Sequence, residues 1–192
     1  MLKNVQIERE DNRKVLSKNL IDLVSGGVNI SKVTIKDVVE NSGISRSNFY
    51  NYFSDIYSLL DWTYREELTP QFEDMFELGM HREALKYMFY KIDQDRDFYL
   101  NIFIYDKDRS VDKFVERLVF EFFQTHRNLV DRGVSSGNWY NTHIAGKAAA
   151  NVFGFVVKEW MSSNFSISVD EILDFSIFIR NVNIHNIFKG HD

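Results

Sequence analysis

Thr34–Phe53 reads TIKDVVENSGISRSNFYNYF. Two short stretches meet in it at Ser42-Gly43-Ile44. Thr34-Ile-Lys-Asp37 has the spacing of a capping box, with Asp in place of the usual Glu or Gln, so a helix is expected to start at Thr34 and end at Gly43. Glycine reaches the left-handed backbone conformation without a Cβ clash, which closes that helix and permits a sharp turn. A second short helix is expected after Ser45, ending near Tyr52. Val38, Val39 and Ile44 supply the apolar contacts that would lock the pair at an angle. This is the construction of a helix-turn-helix.

The outward residues of the second helix are Ser45, Arg46, Ser47, Asn48, Tyr50, Asn51 and Tyr52, and none is an acid. Arginine can make a bidentate contact to guanine, and asparagine can pair with adenine, so Arg46, Asn48 and Asn51 are candidate base readers. The Tyr50 and Tyr52 hydroxyls suit phosphates, which position a protein on a duplex without reading sequence. Thr34 sits at a helix N-terminus, where backbone N–H groups favour a phosphate, with Lys36 two residues on. Taken alone, the stretch reads rather as a polar surface helix with Phe49 and Phe53 in the core; the wider context reverses that.

Outward from this segment the chain reads as nearly all helix. A first helix is expected over about 10–24, with Leu16, Leu20, Leu23 and Val24 on one face and Gly26-Gly27 as its stop. Ser54-Asp55 opens a fourth helix, which Pro70, the only proline, should end or kink. Five further helices are expected over roughly 82–93, 95–105, 110–132, 140–162 and 168–188, the last opened by the capping box Ser168-Val-Asp-Glu171. The expected architecture is all-α, about nine helices: a helix-turn-helix domain over 8–68 and a larger helical effector-binding and dimerisation domain over 69–192.

Composition narrows the class. With 192 residues and 44% hydrophobic content the chain can bury a core, and without cysteine it has no disulfide, thiolate metal site or cysteine nucleophile. The N-terminus lacks a signal-peptide core, and the apolar stretch around 152–157 is too short to span a bilayer, so a cytoplasmic protein without membrane contact is expected. Net charge is −5, but it is uneven: residues 1–60 hold eight basic and seven acidic side chains, leaving −6 for the remainder. A DNA-facing N-terminus on an acidic body is compatible with that split.

The wider pattern resembles the TetR family. It runs from a leading helix through Thr34, Asp37-Val38-Val39, Ser42-Gly43-Ile44-Ser45, Phe49-Tyr50, Tyr52-Phe53 and Leu59-Leu60, in the family's order and spacing over about 60 residues. The resemblance implies a homodimeric regulator, usually a repressor, released from a double-stranded DNA operator when an effector binds the C-terminal body. It makes Tyr50 and Tyr52 backbone contacts and Arg46, Ser47 and Asn48 sequence readers. Two positions depart from it: Ile56 stands where the family commonly has a phosphate-contacting Lys, and Val39 replaces a small residue. Phe49-Tyr50, Leu59-Leu60-Asp61-Trp62 and Trp160-Met161 resemble the branch that includes dihydroxyacetone kinase regulators, some of which respond to a protein partner.

In the body, Gly146, Ala150 and Gly154 lie at i, i+4 and i+8, one helix face that allows close approach of another helix. The family resemblance makes this the dimer interface together with the helix from Ser168; packing inside one subunit is the other reading. Tyr99, Phe103, Phe122, His126, Phe153 and Trp160 are candidate lining of an effector pocket, with ordinary core as the alternative for each. No cofactor or metal is expected: the histidines show no ligand spacing, and neither a phosphate-binding glycine loop nor a nucleophile elbow is present. An enzyme is therefore not expected. The competing function is a co-activator or adaptor of the same fold, acting through protein contacts with weak or no DNA binding.

Overall fold

The computed structural model describes residues 2–106, 113, 117, 121 and 139–181. All regular structure among them is helical: α1 Leu2–Ser25, a 3-10 turn at Ile30–Lys32, α2 Ile35–Val39, α3 Arg46–Phe49, α4 Ile56–Leu68, α5 Pro70–Glu77, α6 His81–Gln94, α7 Arg96–Tyr105, α8 Trp139–Ser162 and α9 Val169–Asn181. Lys113, Arg117 and Glu121 are also helical and exposed. The chain divides into two compact units, Met1–Ser110 and Val111–Asp192.

In the first unit α1 packs on α2, α4 and α7. Leu16, Leu20 and Val24 are buried at i, i+4 and i+8 of α1, while Leu23 is half-buried at the edge of that stripe. Each fully buried leucine contributes about 1.5–3 kcal/mol, so this face holds α1 in place. The helix begins eight residues before the expected start and ends as expected, with Gly27 at φ +94°.

α4 starts at a reciprocal cap. The Ser58 amide donates to Asp55 Oδ1 at 2.7 Å, and the Asp55 amide donates to the Ser58 hydroxyl at 3.1 Å. Its buried face carries Ile56, Leu59, Leu60, Thr63, Tyr64 and Leu68. Pro70 ends α4, but it also starts α5, a helix that the sequence reading missed. Proline suits the first helical position because the N–H it lacks would have no intrahelical partner there. Only Thr69 separates the two helices.

α6 and α7 complete the unit, with Met88, Phe89 and Ile92 buried from α6 and Phe98, Tyr99 and Ile102 from α7. Tyr99 stacks on Tyr64 of α4, ring centroids 6.1 Å apart. Lys91 of α6 reaches Glu67 of α4 at 2.9 Å and Asp95 at 3.8 Å. The gain from these ion pairs outweighs burial, so the Lys91 ammonium titrates above its ordinary range.

In the second unit α8 packs on α9; Val156, Val157, Trp160 and Met161 are buried on the first and Ile172 and Leu173 on the second. Ser168 and Glu171 form the expected capping box: the Ser168 amide donates to Glu171 Oε2 at 2.8 Å, and the Glu171 amide to the Ser168 hydroxyl at 3.3 Å. The α8–α9 turn carries two successive non-glycine residues at positive φ, Asn164 and Phe165, both at 55°. Phe165 is buried against Trp160, whose indole N–H donates to the Ile167 carbonyl at 2.8 Å. Among the described residues no helix is long and apolar enough to cross a membrane.

Candidate nucleic-acid interface

The expected turn is present between α2 and α3. Gly43 has φ +72°, and Asn41, which the sequence reading did not single out, is also left-handed at φ 63°. Ser42 stitches the turn: its hydroxyl donates to the Val39 carbonyl at 2.7 Å and accepts from the Ile44 amide at 2.9 Å. Val38, Ile44 and Phe49 are buried and hold the two helices together, whereas Val39 is only half-buried. α2 ends at Val39, four residues before the expected stop, because Glu40 leaves the helix in an extended conformation.

At the start of α2 the Thr34–Asp37 box forms as predicted. The Thr34 amide and hydroxyl both donate to Asp37 Oδ2, at 2.8 and 2.7 Å, and the Asp37 amide donates back to the Thr34 hydroxyl at 3.3 Å. These hydrogen bonds to the Thr34 hydroxyl and amide hold the Asp37 carboxyl below its ordinary pKa. They also commit both Thr34 donors internally and place a carboxylate where a phosphate would approach. Exposed Lys36 is then the better phosphate donor of the pair.

Ser45 caps α3, its hydroxyl accepting from the Asn48 amide at 3.1 Å. Helical-turn bonds continue past Phe49 to Asn51, Tyr52 and Phe53, so the turn structure extends through the expected stretch although α3 proper is one turn. Ser45, Arg46, Ser47, Tyr50 and Asn51 are exposed, with Asn48 and Tyr52 half-buried. The Asn51 side-chain amide donates to Asn48 Oδ1 at 3.0 Å, which points the Asn48 side-chain NH2 and Asn51 Oδ1 toward other partners. Phe49 anchors the helix from beneath, fully buried and in ring contact with Tyr50 and Phe53.

Two bonds to α1 set the pose of this pair. Asn19 donates to the Val38 carbonyl at 2.9 Å, and Asn12 donates to the Tyr52 hydroxyl at 3.0 Å. With its oxygen accepting from Asn12, Tyr52 keeps its own hydrogen to donate outward. No sequence signal marks either bond, because the partners are 19 and 40 residues apart. Ile56 is buried, 8% exposed, so the position where a lysine was missed belongs to the core of the first unit.

The expected effector residues fall in both units. Tyr99 is buried in the first, where desolvation pushes its phenol well above the ordinary pKa, and Phe103 is half-buried on the same helix. Phe153 is half-buried in the second and Trp160 is buried at the α8–α9 turn. Phe122 and His126 lie outside the described residues. Gly146, Ala150 and Gly154 all lie in α8, with Gly154 half-buried. The large exposed apolar residues are others: Ile144, Val152 and Phe155 on α8, Phe175 and Phe178 on α9. Among the described residues no group of His, Asp or Glu side chains could hold a metal ion.

No profile of a known protein family matches the chain. Over 97 residues it is 28% identical to the dhaKLM operon transcriptional activator DhaS of Lactococcus lactis; the match spans 50% of this chain and 51%, about half, of that relative. A solved dihydroxyacetone kinase operon activator DhaS superposes with a TM-score of 0.63 at 17% identity, covering 88% of this chain and 93% of its own. A TetR-family transcriptional regulator from Syntrophomonas wolfei gives 0.64 at 15% identity over the same shares. The fatty acid degradation regulator FadR from Bacillus halodurans gives 0.58 at 13% identity, covering 85% of this chain and 91% of its own. The chain therefore has the fold of the TetR-type transcription regulators, a helix-turn-helix head followed by further helices.

Proposed function

We propose that this chain is a DNA-binding transcription regulator that works as a homodimer. The observation that carries the reading is the reader helix: an exposed, acid-free run of Ser45, Arg46, Ser47 and Asn51 with Tyr50, set on a buried Phe49 and oriented by bonds to α1. Arg46, Asn48 and Asn51 have the chemistry to read base edges; Lys36, Tyr50 and Tyr52 have that of phosphate contacts. The functional division falls at 68/69, with an effector or protein partner acting on the helices beyond it; Tyr99 and Phe103 in the first unit, and separately Phe153 and Trp160 in the second, are the described candidates for such contacts.

Dimerisation is proposed for the second unit. Phe155, Phe175 and Phe178 are 54%, 44% and 64% exposed, an unusual outlay of phenylalanine on two adjoining helices. Gly146, Ala150 and Gly154 lie in the same helix as Phe155, and a second copy is the occupant that the TetR-type fold suggests.

Fluorescence polarisation with duplex fragments from the region upstream of the chain's own gene, across a salt series, tests DNA binding. The affinity should fall with salt, with a log–log slope of about −0.9 per phosphate-contacting cation. Absence of salt-dependent binding at low ionic strength overturns this reading in favour of an adaptor acting through protein contacts. The burial of Ile56, which leaves the start of α4 without the family's cation, favours that second reading. The DhaS matches, in sequence and in structure, are named activators; transcript levels in a deletion strain decide whether this chain activates or represses.

A further inference from the structure

Asn101 of α7 makes three bonds, all to the backbone of the segment that joins α1 to the 3-10 turn. Its amide donates to the carbonyls of Val24 at 3.1 Å and Val28 at 3.2 Å, and its oxygen accepts from the Ile30 amide at 3.2 Å. The side chain is 9% exposed, between Phe98 and Ile102, which are buried on the same helix. Its orientation is unambiguous, since a flipped amide would set NH2 against the Ile30 N–H and oxygen against two carbonyls.

These partners are backbone groups at the end of α1 and the start of the 3-10 turn; the Val24 carbonyl also accepts from the Gly27 amide at 3.1 Å. The last carbonyls of a helix and the first amides of the next element have no partner inside their own element. Val24 lies in the last turn of α1, and Ile30 opens the 3-10 turn. One side chain on α7, more than 70 residues away, supplies both.

The 3-10 turn leads through Val33 directly into Thr34, the cap of α2. From the other side of the same segment, α1 holds the α2–α3 pair by the bonds of Asn19 and Asn12. A continuous path of packed helix and hydrogen bonds thus runs from α7 through the end of α1 to the reader. We propose that Asn101 is a positioning residue for DNA reading, registering α7 on the α1–α2 connection so that the pose of the helix-turn-helix depends on the position of α7. The proposal rests on the DNA-binding reading above and makes α7 a route by which an event in the helices beyond α4 reaches the reader.

The test uses the full chain with Asn101→Asp, which preserves shape but turns a carboxylate toward the Val24 and Val28 carbonyls, and Asn101→Ser as a milder second variant. Amide hydrogen exchange reads the coupling without DNA. Exchange should quicken at Ile30 and also through α2 and α3, with α8 and α9 unchanged. Quickening confined to Ile30, or spread over the whole chain, overturns the proposal. Polarisation with the upstream duplex, corrected for active fraction by stoichiometric titration, reads the function. The folded fraction of either variant should bind about tenfold more weakly, with an unchanged salt slope because no cation is lost. Wild-type affinity in the folded fraction overturns the positioning role, leaving Asn101 merely structural. If the wild-type chain itself binds no duplex, the DNA-binding reading fails, and the exchange pattern alone still decides whether α7 is coupled to α2–α3.

Discussion

Replacing Tyr52 by phenylalanine removes one oxygen, and that oxygen sits between two tasks. It accepts from Asn12 of α1 at 3.0 Å in a half-buried position, and its hydrogen stays available for a phosphate. The inner bond is neutral and near water, so its loss should cost toward the lower end of about 0.5–1.5 kcal/mol in stability. The outer bond would be to an anion, for which about 1.5–3 kcal/mol is typical, or roughly 10- to 150-fold in Kd for each protomer. A phenol brings no charge to the phosphate, so the variant should bind more weakly at every salt concentration with an unchanged slope. Polarisation across a salt series, beside a thermal melt, measures both. Asn12→Ala should reproduce part of the loss, and a double-mutant cycle gives the share carried through orientation of the hydroxyl. A lowered Tm together with a folded-fraction Kd within about twofold of wild type would refute the reasoning, because Tyr52 would then only brace α3.

Two cations should behave differently: Lys36→Ala should lower the salt slope by about 0.9, whereas Arg46→Ala should cost about 1–3 kcal/mol of discrimination at one base pair, seen by competition with single-base variants of the duplex. Phe178→Glu on α9 should convert a dimer to a monomer in sedimentation velocity without lowering helicity, since that ring is exposed in the single chain; an unchanged mass would refute the α8–α9 interface. The capping carboxylates predict an acid dependence. Asp37 and Glu171 are held below their ordinary pKa by hydrogen bonds to Thr34 and Ser168, so the folded state binds their protons less tightly than the unfolded state. Their stabilisation is complete above the ordinary carboxylate range and is lost as pH falls through the lowered values. The Tm deficit of Asp37→Asn against wild type at neutral pH should therefore shrink on acidification below about pH 4; a deficit constant across that range would refute the assignment.

The helix-turn-helix was legible because its signals are local. A capping box four residues long, a glycine between two short helices and a run of polar residues on a phenylalanine anchor need no tertiary information. The start of α5 misled for an equally local reason: Pro70 can end one helix and begin another, and sequence alone favoured the ending. What stayed hidden depends on distance along the chain. Asn12, Asn19 and Asn101 look like any surface asparagines until α1 and α7 bring them to the backbone and hydroxyl groups they bond. Tyr99 and Trp160 drew notice as candidate pocket lining, but their distant contacts were not legible: Tyr99 stacks on Tyr64, and the Trp160 indole donates to the Ile167 carbonyl.

The junction at Thr69 bears on how the chain moves. A flexible linker stores conformational freedom and lets the parts it joins drift independently. Here one residue separates α4 from α5, and its hydroxyl is tied back to the Arg65 carbonyl at 2.8 Å. At the other end, only the short segment from Tyr50 to Asp55 lies between α3 and α4, and Asp55 is already the cap of α4. Such a joint has almost no slack: a tilt imposed on α5 cannot be absorbed by a loop and must appear as a change of angle in α4. Lengthening the joint by a few glycines would turn this rod into a tether, leaving each part folded while uncoupling the timing of their motions.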